Sequence, residues 1–99
     1  MADYDWSGVA DRADRARRSW PQTIAALPVG LDISGRVLAR MRFGVFVEIE
    51  GQPDAVGLLE VTQLPAGREL PAVGEVIDGV VSDHVTHNHQ VRLRPRPTE

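Results

Sequence analysis

The residues RFGVFVEI, numbers 42–49, are the stretch that decides the fold. The β-branched residues at 45, 47 and 49 alternate with Phe46 and Glu48, and this period of two is typical of a half-buried strand. We therefore expect the β-branched side to face the core and Phe46 to lie exposed among charges on the other side. Gly44, at the start of the strand, predicts a bend, a bulge or the close approach of another backbone.

The composition is that of one small domain. The chain has 99 residues and a net charge of −3, and all eleven of its basic residues are Arg. Because Cys is absent, disulfides and thiolate metal sites are excluded. The net negative charge argues against strong non-specific binding to nucleic acid. Each Arg nevertheless has a planar guanidinium group that can bind a phosphate or stack on a base.

The sequence carries no signal for a membrane or for secretion. No apolar run approaches ~18 residues, so we expect no membrane span. Residues 1–7 lack the basic start and the apolar core of a signal peptide. We therefore expect a cytoplasmic protein.

Residues 6–20 show the three- and four-residue spacing of apolar side chains that is typical of an amphipathic helix. Trp6 and Trp20 belong to its apolar face, and Ser19 is predicted to cap a short second turn over residues 21–25. We expect the helix to dock both Trp rings on the rest of the domain, because rings of this size are normally buried. The alternative is a helix whose apolar face binds a protein partner.

From residue 30 onward the apolar residues alternate with a period of two between turns rich in Gly and Pro. Five short strands of this kind predict a mainly all-β fold, a small Greek-key barrel. The expected domains are a helical extension over 1–28, the barrel over 29–95 and a disordered tail over 96–99. The predicted segments are a first strand over 33–42 with a bend at Gly35, a second strand over 43–49, a third over 55–61, a loop over 62–73 with room for one helical turn, a fourth strand over 75–82, a polar turn over 83–89 and a fifth strand over 90–94.

Five short motifs occur in the barrel region in a recognisable order and spacing. They are Gly30-x4-Gly35-x-Val37, Phe43-Gly44-Val45-Phe46-Val47, Gly57-Leu58-Leu59-Glu60-Val61-Thr62, Gly74 before a strand, and Val91-Arg92-Leu93. Together, over residues 30–94, they resemble the ribosomal protein S1 motif, an RNA-binding domain with the OB fold. The resemblance implies that single-stranded RNA binds one barrel face through Phe43 and Phe46. Two positions differ from the family, because Glu60 stands where it usually has His and Gln90 where it often has a basic residue.

Five arginines are candidate phosphate contacts. The alternation predicts that three of them share a face of the first strand and two share a face of the last strand, and we expect these strands to be neighbours. The five would then form a basic stripe beside Phe46. The alternative is a solvated face on which they pair with Glu48, Glu50 and Glu60, where each pair contributes roughly 0–1 kcal/mol. The five residues are Arg36, Arg40, Arg42, Arg92 and Arg94.

Three histidines near the last turn suggest a metal site at first sight, but one short segment supplies all of them and no Cys is present. We therefore predict no metal and assign the segment a structural role, with Asn88 in the left-handed turn conformation. We also predict no catalytic residue and no cofactor, since the chain has neither a nucleophile motif nor a Gly-rich phosphate loop. Additional ligand contacts are expected from Glu60, His84, His87 and Gln90.

The prediction from the sequence is a monomeric RNA-binding module that binds single-stranded RNA weakly. Bases would stack on Phe43 and Phe46, and the five arginines would hold phosphates. The alternative is an OB-fold adaptor that has lost RNA binding and contacts a protein through the helix bearing Trp6 and Trp20.

Overall fold

The computed structural model describes residues 9–96, with side chains from residue 11 onward. Within this part of the chain, no helix is long and apolar enough to cross a membrane. The elements are α1 (Val9–Arg18), α2 (Trp20–Ala26), β1 (Asp32–Arg40), β2 (Gly44–Ile49), β3 (Val56–Glu60), a 3-10 turn (Val61–Gln63), β4 (Val76–Val85) and β5 (Gln90–Pro95).

The five strands form a closed barrel in the order β1-β2-β3-β5-β4, and β4 returns to pair with β1. Every pairing is antiparallel except that of β3 with β5, which is parallel. The predicted five-stranded OB barrel with an N-terminal helical extension is confirmed. The expectation that the first and last strands are neighbours is wrong, because β5 lies between β3 and β4.

The period of two along β2 places its β-branched residues in the core, as predicted. Val45, Val47 and Ile49 are fully buried, and Phe46 between them is partly exposed. Val91 and Leu93 of β5 also point inward, as predicted. The barrel interior is therefore filled by aliphatic side chains, and the outward positions of the strands are left for surface contacts.

Gly44 is required because β3 passes directly over it. A Cβ added at Gly44 would lie 2.3 Å from the Leu59 carbonyl oxygen and 2.8 Å from the Cα of Glu60. The predicted close approach of another backbone is therefore confirmed. It also brings the end of β3 against the start of β2, where Phe43 is located.

Two irregularities interrupt the ladders of the barrel. In β1 the register shifts between Val37 and Ala39, and in β4 it shifts between Val81 and Asp83. The bend predicted at Gly35 stays a prediction, and the bulge in β1 follows a few residues after it. β4 continues to Val85, so the polar turn predicted over 83–89 is shorter and covers 86–89.

The helical extension packs on its own barrel through Trp20 and Leu27. Trp20 is only 7% exposed and belongs to the same apolar cluster as Ile33, Ile49 and Val91. The docking predicted for Trp20 is therefore confirmed, whereas Trp6 lies outside the described residues. The extension thus covers the end of the barrel where β2 finishes.

The predicted second helical turn is present as α2, but Ser19 does not cap it with its side chain. Its hydroxyl instead donates a 2.8 Å hydrogen bond to the carbonyl oxygen of Arg15, one turn back in α1. On α1 itself, a hydrogen bond from Arg17, supported by the charge of Arg18, lowers the pKa of the exposed Asp14 carboxyl. These contacts stabilise the last turns of α1.

Candidate nucleic-acid interface

Two aromatic rings form an exposed pair at the start of β2. The rings of Phe43 and Phe46 lie 5.9 Å apart between centroids, at an interplanar angle of 78°. Phe43 is 49% exposed and Phe46 is partly exposed, so the ring that precedes the strand is the more accessible of the two. We call these two rings the aromatic pair. Because the two rings are nearly perpendicular, each offers its own exposed face as an apolar surface on which another ring can stack.

A row of outward side chains continues from the aromatic pair across the barrel. Phe46 lies opposite Leu58 on β3, which lies opposite Arg92 on β5, which in turn lies opposite Asp83 on β4. Leu58 is only 8% exposed although it faces outward. The row therefore joins an apolar surface to a guanidinium group two strands away.

Glu60 lies at the end of β3, next to both the aromatic pair and Arg92. Its Oε1 is 2.9 Å from Nε of Arg92, and both side chains are about one-third exposed. Arg92 Nε has no hydrogen-bond partner among the described residues. The contact with Glu60 is therefore an ion pair and not an aligned hydrogen bond. Arg92 thus offsets the negative charge that Glu60 places beside the rings.

A second acid on this face is offset by the helical extension. Glu48 follows Phe46 on the outward side of β2, and its Oε2 lies 3.2 Å from Nη1 of Arg12 on α1. On α1, Arg15 also reaches Asp54 in the β2–β3 turn, at 3.3 Å. Sequence analysis missed these contacts, because nothing in the sequence indicates which strand the helix packs against.

The structure separates the arginines that sequence analysis assigned to one stripe. Arg36 and Arg40 lie on β1 and Arg92 and Arg94 lie on β5, and these two strands are not neighbours in the barrel. Nη1 of Arg36 donates a 2.8 Å hydrogen bond to the carbonyl oxygen of Gly74. The predicted continuous stripe is therefore wrong.

The other two candidates of this set flank the aromatic pair from different sides. Arg42 is exposed in the β1–β2 turn directly before Phe43, and Arg94 follows Arg92 on the outward side of β5. Within residues 9–96, no carboxylate lies at ion-pair distance from Arg40, Arg42 or Arg94. Their charges are thus available to a ligand.

The three histidines do not act as one group. His84 lies on the side of β4 that meets α2, where its Nε2 is 2.7 Å from the Leu27 carbonyl oxygen. The rings of His84 and His89 both meet Trp20 edge-on, at 6.1 and 5.7 Å between centroids. His84 thus supports the helical extension.

The last turn differs from its prediction in one detail. His89, not Asn88, has the left-handed conformation, with φ of 55°. His87 is exposed and lines a shallow groove that leads along β4 to Arg92. Gln90 is partly exposed at the start of β5, opposite Val85. Within the described residues, no group of three or more His, Cys, Asp or Glu is arranged to hold a metal ion.

Several solved structures are similar in fold to this barrel. Mycoplasma genitalium RNase R in complex with ribose-methylated single-stranded RNA is similar over 86% of this chain and 15% of its own, with 15% identity and a TM-score of 0.69. An uncharacterized protein from Methanocaldococcus jannaschii, MJ1198, is similar over 74% of this chain and 97% of its own, with 23% identity and a TM-score of 0.61. The fold is that of a five-stranded OB barrel.

A third neighbour is a Streptococcus pneumoniae multidomain protein with nucleic acid binding domains. It is similar over 72% of this chain and 24% of its own, with 17% identity and a TM-score of 0.62. The chain therefore spans about a quarter of that protein and a smaller part of RNase R. No family model and no curated protein matches the sequence. The fold implied by the resemblance to the S1 motif is thus confirmed from structure.

Proposed function

We propose that this domain binds single-stranded RNA on the face that carries the aromatic pair. The observation that carries the proposal is the exposure of Phe43 and Phe46 together at the start of β2. A base stacked on an exposed ring contributes roughly 1–3 kcal/mol, whichever base it is. The neighbouring structures support the proposal, since one is a complex with single-stranded RNA and another is described as having nucleic acid binding domains.

The phosphates of the bound strand would contact arginines on two sides of the aromatic pair. Arg42 precedes the rings in the β1–β2 turn, and Arg92 and Arg94 lie on β5 beyond Leu58. Arg40 is a further candidate at the end of β1, whereas Arg36 already donates to Gly74 and lies toward the far side of β1. Because only a few arginines contribute, binding should be weak and should depend on salt.

The acidic net charge does not oppose this proposal, because local charge decides where a polyanion can approach. Glu48 and Glu60, the two acids on the outward side nearest the rings, are each paired with an arginine. The proposed activity consists of stacking and ion pairing, and neither requires a catalytic group. We propose accordingly that the domain acts as a cytoplasmic, monomeric binding module and not as an enzyme.

An NMR titration with a short unstructured RNA tests the proposal. Amides around Phe43, Phe46 and Arg92 should shift together, and the affinity should fall as salt is raised. The Phe46→Ala variant should weaken binding by about 5- to 150-fold, the factor that corresponds to one lost stacking contact of roughly 1–3 kcal/mol. Val29→Ala is the matched control, because Val29 is an exposed apolar residue in the α2–β1 connection.

Two results would contradict the proposal. The first is the absence of any shift at millimolar RNA. The second is an equal loss of affinity in Phe46→Ala and Val29→Ala, which would show that the rings are not the binding surface.

A further inference from the structure

Glu60 lies on β3 across from the start of β2, the segment that carries the aromatic pair. In the β2–β3 ladder Glu60 lies opposite Gly44, the residue that follows Phe43. The next residue, Val61, donates its backbone N–H to the carbonyl oxygen of Phe43 at 2.8 Å. The Glu60 backbone is thus fixed against the start of β2 from both sides.

The Glu60 carboxylate forms an ion pair with Arg92. Nε of Arg92 is 2.9 Å from Oε1 of Glu60, and the Glu60 side chain remains 31% exposed. Among the described residues, Arg92 is the only cation at ion-pair distance from Glu60. Oε2 and the free lone pair of Oε1 can therefore accept hydrogen bonds from a ligand.

We infer that Glu60 reads the Watson–Crick edge of a base stacked on the aromatic pair, and that it selects guanine. A carboxylate only accepts hydrogen bonds, so it favours an edge with adjacent donors. Guanine presents two such donors, N1–H and the N2 amino group. Adenine and cytosine present one amino group beside an acceptor nitrogen, and uracil presents one N–H between two carbonyl oxygens. This inference rests on the proposed function and adds base selectivity to it.

The expected size of the effect follows from the geometry of such contacts. A bidentate pair between a side chain and a base edge discriminates against the wrong base by roughly 5- to 150-fold. Because Glu60 is partly exposed, we expect the lower part of this range, about tenfold. The ligand chemistry is therefore that of a single-stranded RNA with guanine at the stacked position.

The test uses the full chain and oligouridines of about seven nucleotides, a length that one OB barrel can cover. Their central base is uracil, guanine or hypoxanthine, the last of which keeps N1–H and lacks the amino group. The ratio of the uracil Kd to the guanine Kd should be about ten, and hypoxanthine should fall between them. Guanine and hypoxanthine are both purines and differ only in the amino group, so the comparison of these two needs only the unmodified protein and remains a test if a variant fails to fold.

The Glu60→Gln variant should bring the ratio to about one, because an amide offers one acceptor where the carboxylate offers two. Its affinity for the uracil oligonucleotide should stay the same or rise, since a negative charge is removed from the binding face. Asp83→Asn is the matched control, because Asp83 is an exposed acid opposite Arg92 in the same outward row. The control should leave the ratio at its original value.

The possible outcomes separate this inference from the proposed function. If every oligonucleotide binds with the same Kd, or if Glu60→Gln keeps the guanine preference, the inference is wrong and the proposed function stands. If Asp83→Asn lowers the ratio as much as Glu60→Gln does, charge alone explains the preference and the inference is again wrong. If no oligonucleotide binds, both fail.

Discussion

Replacing Trp20 by Ala tests whether the helical extension is an integral part of this domain. The ring is 7% exposed, and it packs with Ile33, Ile49 and Val91 at the end of the barrel. A tryptophan buries about 150–250 Å², which at about 25 cal/mol per Å² corresponds to about 4–6 kcal/mol. Part of this is recovered as the site relaxes, so we expect the free energy of unfolding to fall by about 3–5 kcal/mol.

A loss of this size is easily measured, because a small domain is stable by only about 5–15 kcal/mol. Urea unfolding followed by circular dichroism gives the midpoint and the slope m for the wild type and for Trp20→Ala. The thermal midpoint should fall by roughly 15–30 °C. Ile24→Ala is the matched control, because Ile24 lies on α2 with 36% exposure and its loss should cost less than about 1 kcal/mol.

The slope m distinguishes two ways in which the variant can lose stability. If the extension stays docked, m is unchanged and only the midpoint moves. If α1 and α2 leave the barrel before it unfolds, m falls because less surface is exposed in the main transition. Equal midpoints for Trp20→Ala and Ile24→Ala would refute the reasoning, since they would show that the buried ring contributes nothing beyond an exposed side chain.

Two further substitutions check local features of the fold by the same unfolding measurement. Gly44→Ala should destabilise the domain by about 3 kcal/mol, because its methyl group would meet the backbone of β3 at 2.3 Å; a loss below about 1 kcal/mol would show that β3 yields easily. Ser19→Ala should cost less than about 0.5 kcal/mol, since its hydroxyl bonds a carbonyl one turn back and caps nothing. A cost near 1 kcal/mol or above would instead indicate that Ser19 caps α2.

The strands were predictable because each one buries one side and exposes the other. Along β2 and β5 this alternation is unbroken, and the predicted inward residues are those that the barrel buries. The register shifts in β1 and β4 were not predicted, because a bulge depends on the pairing of two strands and not on the local pattern of one. Beyond the shift in β4, Asp83 lies opposite Arg92 and His84 lies opposite the buried Val91, in a segment that the sequence pattern assigned to a turn.

The neighbours of a strand are harder to predict than the strand itself. The order of the barrel puts β5 between β3 and β4, and this follows from packing among distant segments that no local pattern reports. The consequence for the candidate site is direct, because Arg92 pairs with Glu60 of β3 and does not join Arg36 on β1. The sequence therefore identified the charged residues near the aromatic pair but not their positions relative to one another.

The departure of Glu60 from the S1 pattern acquires a physical explanation from this arrangement. An unpaired carboxylate beside the rings would repel a polyanion, but Arg92 at 2.9 Å offsets its charge. The Glu60 carboxylate can still accept a hydrogen bond at short range. At longer range the ion pair exerts little electrostatic repulsion on RNA, since its two opposite charges largely cancel. Under the proposed function, such a face would admit an RNA strand and still distinguish the base at its centre. The same acid that weakens the resemblance is thus the residue best placed to make the binding selective.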